Sequence, residues 1–462
     1  MTGFGRGYVT DVPYTRGFHR ELAPEWLDFA ATISGISPPV QDEGFSWCEL
    51  GCGQGVTTVI LAASHPRGRF VGIDLMPEHI AHARRFAAEA GIANVEFRAA
   101  DFANETLKFP AFDYIVSHGV YSWVDAAAQA ALRQFIDRHL AARGLLYLGY
   151  NAMPGWAADL PFQRLLVALG RDLPGDSGAR FLSAVELVRR LAAAGAPCLT
   201  ASVIAPHLDD LIARHPLAYL AHEYMGSHWQ PLLVTEVRDA MASIGLTPAG
   251  SAVLADNFDS FVLRRVEREA LAGIDDADAR ELARDFLMHK RFRRDVFSRD
   301  GDELGDDERR DRIIAARYAL ARPPEEIAYE ADTEAGKLSF DNRTTRAIVA
   351  ALASGPQTGA GVVPESIEPQ DIVANLMALS SAGVVRPVSS KDVPVTALND
   401  AICRRIDGPE SIHALALSCG TAVRLDPAVL RALRDGGDVA EAVAGGAVEN
   451  WSRFLAIHAA RD

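Results

Sequence analysis

Phe45-Ser-Trp-Cys-Glu-Leu-Gly-Cys-Gly-Gln-Gly55 is the stretch whose reading decides the fold. An apolar run ends on Glu49, and glycines at alternate positions (Gly51, Gly53, Gly55) lead into the helical pattern Val56–Ser64. A second apolar run, Arg69-Phe-Val-Gly-Ile-Asp74, ends on an aspartate. That order suits a nucleoside-bearing ligand. Glycines let the backbone turn tightly and approach the ligand, a helix N-terminus offers free N–H groups, and an acid after the next strand accepts from ribose hydroxyls.

Working outward, strands and helices alternate from Phe45 to Tyr150, which predicts an α/β fold built on a doubly wound, mostly parallel sheet. The strands are read at Ser46–Leu50, Arg69–Ile73, Val95–Ala99, Phe112–Ser117 and Gly144–Tyr150. The helices between them fall near Val56–Ser64, Pro77–Ala90 and Ala126–Ala141. Residues 1–44 precede this core as a lid or cap segment, with a helix expected around Pro24–Ser34. After Asn151 the pattern turns helical, for instance over Leu182–Ala194. Two extended segments, Pro248–Leu254 and Arg291–Phe297, are expected to close the sheet as an antiparallel pair, with the helical Asp278–His289 between them. The charged run Arg299–Asp311 reads as a linker into a helix. Beyond it, helices at Asn342–Ser354 and Pro369–Ala382 with strands at Gly336–Phe340 and Val384–Val388 predict a winged-helix-like α+β module.

At 462 residues, 49% hydrophobic and 23% charged, the chain has the composition of a globular protein with two or three domains. A net charge of −15 disfavours bulk nucleic acid as a partner. No apolar run approaches the roughly 20 residues that span a bilayer, and Met1–Tyr8 lacks the apolar stretch of a secretory signal. Five cysteines without zinc-like or CxxC spacing are consistent with reduced thiols and a cytoplasmic location.

Glutamate directly before the glycines points to S-adenosylmethionine, because the methionine part of that cofactor carries an ammonium and contains no pyrophosphate to be cradled. The expected cofactor-binding set is Tyr14, Glu49, Gly51, Gly53, Gly55, Asp74 with Leu75, Asp101, Phe102 and His118. Asp74 is suited to the ribose, and Asp101, ending the third strand, to the adenine N6 amino group, with Phe102 covering a ring face. The fourth strand runs out into Ser117-His-Gly-Val-Tyr-Ser-Trp123, so His118, Tyr121 and Trp123 are the candidate catalytic residues. His118 is read three ways: a general base, a cofactor contact, or a structural histidine. Tyr150, Asn151 and Trp156 are candidate substrate-pocket residues after the fifth strand. An aromatic pocket of Tyr121, Trp123, Tyr150 and Trp156 would disfavour a charged ammonium. The Asn/Asp-Pro-Pro-Tyr run common among enzymes that methylate base amines or glutamine amides is absent at residue 118. His215, His222 and His228 with Glu223 do not form HExxH, and no metal is expected.

The chain resembles bacterial class I S-adenosylmethionine-dependent methyltransferases that carry a methyltransferase regulatory domain. The resemblance rests on Val12-Pro-Tyr14, Glu49–Gly55, Val71–Asp74, the H-G-V-Y-S-W core at 118–123, Tyr150–Trp156, Tyr219-Leu-Ala-His-Glu-Tyr224 and Asp285–Asp295. It implies domains at 1–44 (cap), 45–150 (methyltransferase core), 151–232 (helical insertion), 233–300 (regulatory segment completing the sheet) and 301–462 (winged-helix-like). Characterised relatives include enzymes that methylate lysines on outer-membrane proteins, so a protein lysine is the leading acceptor, with a small molecule as the alternative and a non-catalytic cofactor-binding module as the third reading. The expected partners are that protein substrate or small-molecule acceptor, with a homodimer as a further expectation and neither nucleic acid nor membrane insertion.

Overall fold

The computed structural model describes residues 9–40, 44–102, 108–333, 336–362, 367–408, 410–435, 451 and 454–455. Met1–Tyr8 lies outside the described residues. Helix α1 (Pro24–Ile33) precedes β1 (Ser46–Leu50), and the chain then alternates through α2 (Val56–Ser64), β2 (Arg69–Asp74), α3 (Pro77–Glu89), β3 (Val95–Ala99), β4 (Phe112–His118), α4 (Ala126–His139) and β5 (Leu140–Asn151). Each predicted strand is present. β5 starts four residues earlier than its apolar run, because Leu140 already pairs with Phe112 ahead of a bulge. The helices start where local chemistry starts them: Pro24 and Pro77 occupy first turns, and Asp125 caps α4 by accepting from the Ala128 N–H.

The helical layer after β5 comprises α5 (Leu160–Gly170), α6 (Ser177–Ala193), α7 (Pro197–Ala201), α8 (Leu208–Arg214) and α9 (Leu217–Met225). These helices bury their own cluster, with Phe162, Leu166, Phe181, Val185 and Leu220 at its centre. The chain returns through α10 (Val234–Ala242), β6 (Thr247–Ser251), α11 (Asp259–Val262), α12 (Arg265–Leu271), α13 (Ala277–Leu287) and β7 (Phe292–Ser298). The seven strands stand in the order β3-β2-β1-β4-β5-β7-β6. β1 to β5 run parallel and β7 runs antiparallel between β5 and β6, the predicted closing pair. One apolar cluster, including Trp47, Val59, Ile60, Phe70 and Phe86, covers one face; a second, including Ile115, Leu132, Phe135, Leu146 and Met241, covers the other. Burial on both faces explains why these strands read as continuous apolar runs.

The C-terminal elements are α14 (Asp306–Ala315), β8 (Arg317–Leu320), β9 (Glu330–Thr333), β10 (Gly336–Ser339), α15 (Arg343–Leu352), β11 (Gln357–Thr358), α16 (Pro369–Ser381), β12 (Val385–Val388), α17 (Thr396–Cys403), β13 (Ala414–Leu417), β14 (Thr421–Arg424) and α18 (Pro427–Asp435). They form helices with small antiparallel sheets: β11-β8-β12, the hairpin β9-β10 and the hairpin β13-β14. The two strands read from the sequence here, Gly336–Phe340 and Val384–Val388, sit in different sheets, paired with β9 and β8 respectively. The apolar cluster runs unbroken from α1 and α2 into this part, with Phe29 edge-on to Tyr318 at 5.9 Å. Arg85 of α3 reaches Glu410 at 2.8 Å. The expected linker is tied down as well: Ser37 N–H donates to Asp302 O, and helix begins at Asp306.

Candidate functional site

The C-terminal ends of β1, β2, β4 and β5 open onto a cavity of about 500 Å³, inside the roughly 300–1,000 Å³ typical of ligand pockets. The glycine turn forms its floor. Gly53 has φ +52 with open space where a Cβ would stand, so its peptide faces the cavity bare. Gly55, at φ +74, caps α2, and a Cβ there would meet Ala83 at 2.5 Å and Phe97 at 2.9 Å. Gly55 therefore fixes the packing of α2 and α3 rather than lining the cavity.

Asp74 closes β2 with both oxygens engaged. Oδ2 accepts from Gly53 N–H at 2.8 Å, and Oδ1 accepts from Met76 N–H at 2.9 Å and meets His79 Nδ1 at 3.2 Å. His79 Nε2 in turn accepts from Tyr14 N–H at 3.4 Å, which places the ring proton on Nδ1, toward the carboxylate. Glu49 is buried, with Oε2 accepting from the Thr58 hydroxyl. Burial pushes its carboxyl up to about 8; the Thr58 bond opposes the shift and the Asp74 carboxylate adds to it.

Asp11 to His19 form a strap along the cavity. Tyr14 O accepts from Gln54 Nε2 at 2.6 Å, His19 N–H donates to Thr57 Oγ1 at 3.1 Å, and Asp11 accepts from Ser177 N–H at 2.9 Å. His222 of α9 meets Val12 O through Nε2 at 2.9 Å and lies edge-on to Tyr14 at 5.0 Å. His222 thus anchors the strap.

Beyond β4, His118 lines the cavity, its ring 4.1 Å from that of His19 and tilted by 35°, and it is joined to Tyr147 at 2.7 Å through Nδ1. Tyr147 is fully buried and held as a neutral phenol by that burial, and it bonds to Arg294. A phenol that accepts from Arg294 donates to His118 Nδ1, leaving the ring proton on Nε2. Burial chiefly, with His19 and Arg294 adding to it, holds His118 well below the usual histidine range. An imidazole in that state offers an N–H and makes a weak base. His19 is held at about 4, again chiefly by burial.

Of the residues expected at the site, Tyr14, Glu49, Gly51, Gly53, Asp74, Leu75, Asp101, Phe102, His118, Trp123, Asn151 and Trp156 line the cavity. Tyr121 and Tyr150 do not. Tyr121 is buried in the core, its hydroxyl accepting from Arg133 at 2.7 Å, and Tyr150 donates to Asp295 at 2.7 Å. Both point into packed protein, so neither fills the catalytic or pocket role expected of it. Sequence reasoning missed His19, Tyr219, Glu223, Arg291, Phe292 and Arg294, which line the cavity from the strap, α9 and the β7 region. Phe292 could have been found by register, since it pairs with Asn151 at the cavity end of β5. Successive β7 residues alternate: Phe292 and Arg294 face the cavity, while Arg293 and Asp295 face α13.

The site fits S-adenosylmethionine on its own chemistry. A buried carboxyl awaits a cation, an oriented carboxylate is suited to a ribose, and a bare peptide turn allows close approach. When bound, that cofactor supplies an electrophilic methyl group on a sulfonium. Because Glu49 is mostly protonated near pH 7 and an ammonium beside it favours the ionised form, S-adenosylhomocysteine binding is expected to release close to one proton at about pH 7 and progressively less above about pH 8. Calorimetry in buffers of different ionisation enthalpy measures this; equal heats in all of them would rule it out. The sign for stability follows. Glu49 binds its proton more tightly folded than unfolded, so its contribution falls as pH rises from about 4.5 to about 8.

Two family models match the chain, "Methyltransferase domain" over residues 41–158 and "Predicted methyltransferase regulatory domain" over 216–299. An uncharacterized protein of Synechocystis sp. is 32% identical over 399 residues, 84% of this chain and 78% of that protein. The trans-aconitate 2-methyltransferase of Streptomyces coelicolor is 36% identical over 26% of this chain and 37% of its own length. Among solved structures, PKMT2 from Rickettsia typhi in complex with AdoHcy aligns over 92% of this chain and 88% of that one, with a TM-score of 0.68 at 19% identity. With both domains matched and a relative 32% identical over most of its length, the chain belongs to the class I S-adenosylmethionine-dependent methyltransferases that carry a methyltransferase regulatory domain.

Proposed function

We propose that this enzyme transfers methyl groups to a protein side chain, with lysine the leading acceptor. The observation that carries the reading is the far end of the cavity. Trp123, Trp156 and Phe292 provide flat apolar walls there, suited to a four-carbon aliphatic stem. The positive charges at that end are already paired: Arg291 with Asp159 at 2.8 Å, Arg294 with Glu21 at 3.5 Å. A polycarboxylate acceptor such as that of the trans-aconitate enzymes needs free cations, so an amine suits this end better. The fold of PKMT2 over nine-tenths of the chain supports the same reading, since it extends well past the cofactor-binding core.

Glu49 would hold the cofactor's ammonium, Asp74 its ribose and Asp101 its adenine, with Phe102 against the ring. The strap excludes water along the same crevice. His118, with its proton on Nε2, serves as a donor that orients, rather than as a base. Incubation of the enzyme and methyl-labelled cofactor with a cognate lysate is expected to label discrete protein bands whose hydrolysates contain methyllysine. Label confined to small molecules would replace this reading with the small-acceptor one.

A further inference from the structure

The acidic residue in Tyr219-Leu-Ala-His-Glu-Tyr224 has no part in cofactor binding or in the sheet. Glu223 lines the cavity from α9, half-buried, and has no hydrogen-bond or ion-pair partner among the described residues. Its neighbours on the helix have other tasks: His222 holds the strap, and Tyr224 packs on Phe181 at 5.8 Å in the helical layer. The aromatic cluster after β4 and β5 meets the chain just past the C-terminal end of α9. Gly226 abuts the Trp123 ring, and Trp229 stands 5.7 Å from Trp123 and 4.8 Å from Trp156.

We infer that Glu223 receives the cationic amine of the methyl acceptor and so sets the enzyme's preference for amines over neutral or anionic acceptors. This rests on the amine-acceptor reading above. The other charges at this end of the cavity are already satisfied. Arg291 lies 3.9 Å over the Trp156 ring and is paired with Asp159, and Arg294 is paired with Glu21. The histidines there, His19 and His118, are neutral near pH 7. The group left without a partner is a carboxyl, which burial keeps partly protonated near pH 7 and which a cation from outside would draw into its ionised form. Burial raises Glu223 to about 7. Indole walls hold the stem of an amine and of an alcohol alike; the carboxylate tells them apart.

The probes are n-butylamine and n-butanol, which share a stem. Each is titrated at about pH 8 into the full chain saturated with S-adenosylhomocysteine, with tryptophan fluorescence as the readout. The wild-type protein is expected to bind the amine at least about tenfold more tightly than the alcohol. In Glu223→Gln that preference is expected to fall to within about twofold, the alcohol binding as before. S-adenosylhomocysteine affinity, measured separately, reports whether the variant folds; if it does not, Glu223→Asp, which keeps the charge, should fold and retain part of the preference. Equal binding of amine and alcohol by the wild type, or an undiminished preference in Glu223→Gln, overturns the inference. Its failure is distinct from that of the protein-acceptor reading: a lysate without labelled protein but with Glu223-dependent amine binding leaves this inference standing and points to a small amine.

Discussion

Asp74→Ala is expected to weaken S-adenosylhomocysteine binding by about 100-fold or more, measured by titration calorimetry. The substitution removes two things at once. The ribose loses a charged acceptor, and hydrogen bonds to charged groups contribute about 1.5–3 kcal/mol each. The glycine turn loses its anchor as well, because Gly53 N–H, Met76 N–H and His79 Nδ1 all meet this one carboxylate. His79 would also cease to be oriented toward the site, loosening the strap at Tyr14. Asp74→Asn keeps a side-chain acceptor of the same size and is expected to fall between the two. The strand beneath is buried on both sides, so the fold should persist, while the loss of an acceptor for Gly53 N–H and Met76 N–H should lower the thermal transition by a few degrees. A loss under about tenfold in Asp74→Ala would show that Asp74 does not hold the ribose.

The second large effect is on stability. Arg293 of β7 is buried against three carboxylates: Asp285 at 2.6 Å, Glu281 at 2.7 Å and Asp295 at 3.0 Å. Arg293→Met leaves Asp285 and Asp295 without their ion-pair partner, while Glu281 keeps Arg284 at 3.6 Å and Arg238 at 3.8 Å, and breaking a buried pair in this way costs about 3–5 kcal/mol. The sheet's melting transition is expected to fall by roughly 8–15 °C. Burial already pushes Asp285 up to about 6, with Arg293 opposing the rise. Without Arg293, Asp285 stays protonated to higher pH. Its folded pKa lies above its unfolded one, so its contribution falls as pH rises through that window, and the deficit of the variant should be larger at about pH 8 than at about pH 5.5. A drop under about 3 °C would show that the network contributes little. The ion pairs of α14 are exposed and offer the contrasting case: losing Arg310 should shift the transition hardly at all.

The sheet was legible because its signals are local. A glycine turn between two acid-tipped apolar runs identifies β1, α2 and β2, and runs buried on both faces leave little choice about β3 to β5. The cofactor arm followed from the same logic, since Glu49, Asp74 and Asp101 all sit at the ends of strands with known order. The acceptor arm did not. Tyr121 and Trp123 are two residues apart in one loop, yet one packs in the core and the other lines the cavity, and only the path of the loop decides which. Tyr150 and Asn151 differ by one step along β5, and adjacent strand residues face opposite sides. Glu223 and Arg294 reach the cavity from elements separated by tens of residues. In the C-terminal part, β11 and β8 are only two and four residues long, too short to show a period.

One strand carries two independent assignments. β7 turns Phe292 and Arg294 to the crevice and Arg293 and Asp295 to the ion network of α13. Position 292 is therefore open to variation, since a smaller or larger side chain there changes the lining of the crevice while the network behind it holds the sheet closed; position 294 is not, because Arg294 is paired with Glu21 and bonded to Tyr147. Positions 293 and 295 have no such latitude. The lining of the crevice and the closure of the sheet are inherited on alternate letters of the same short word.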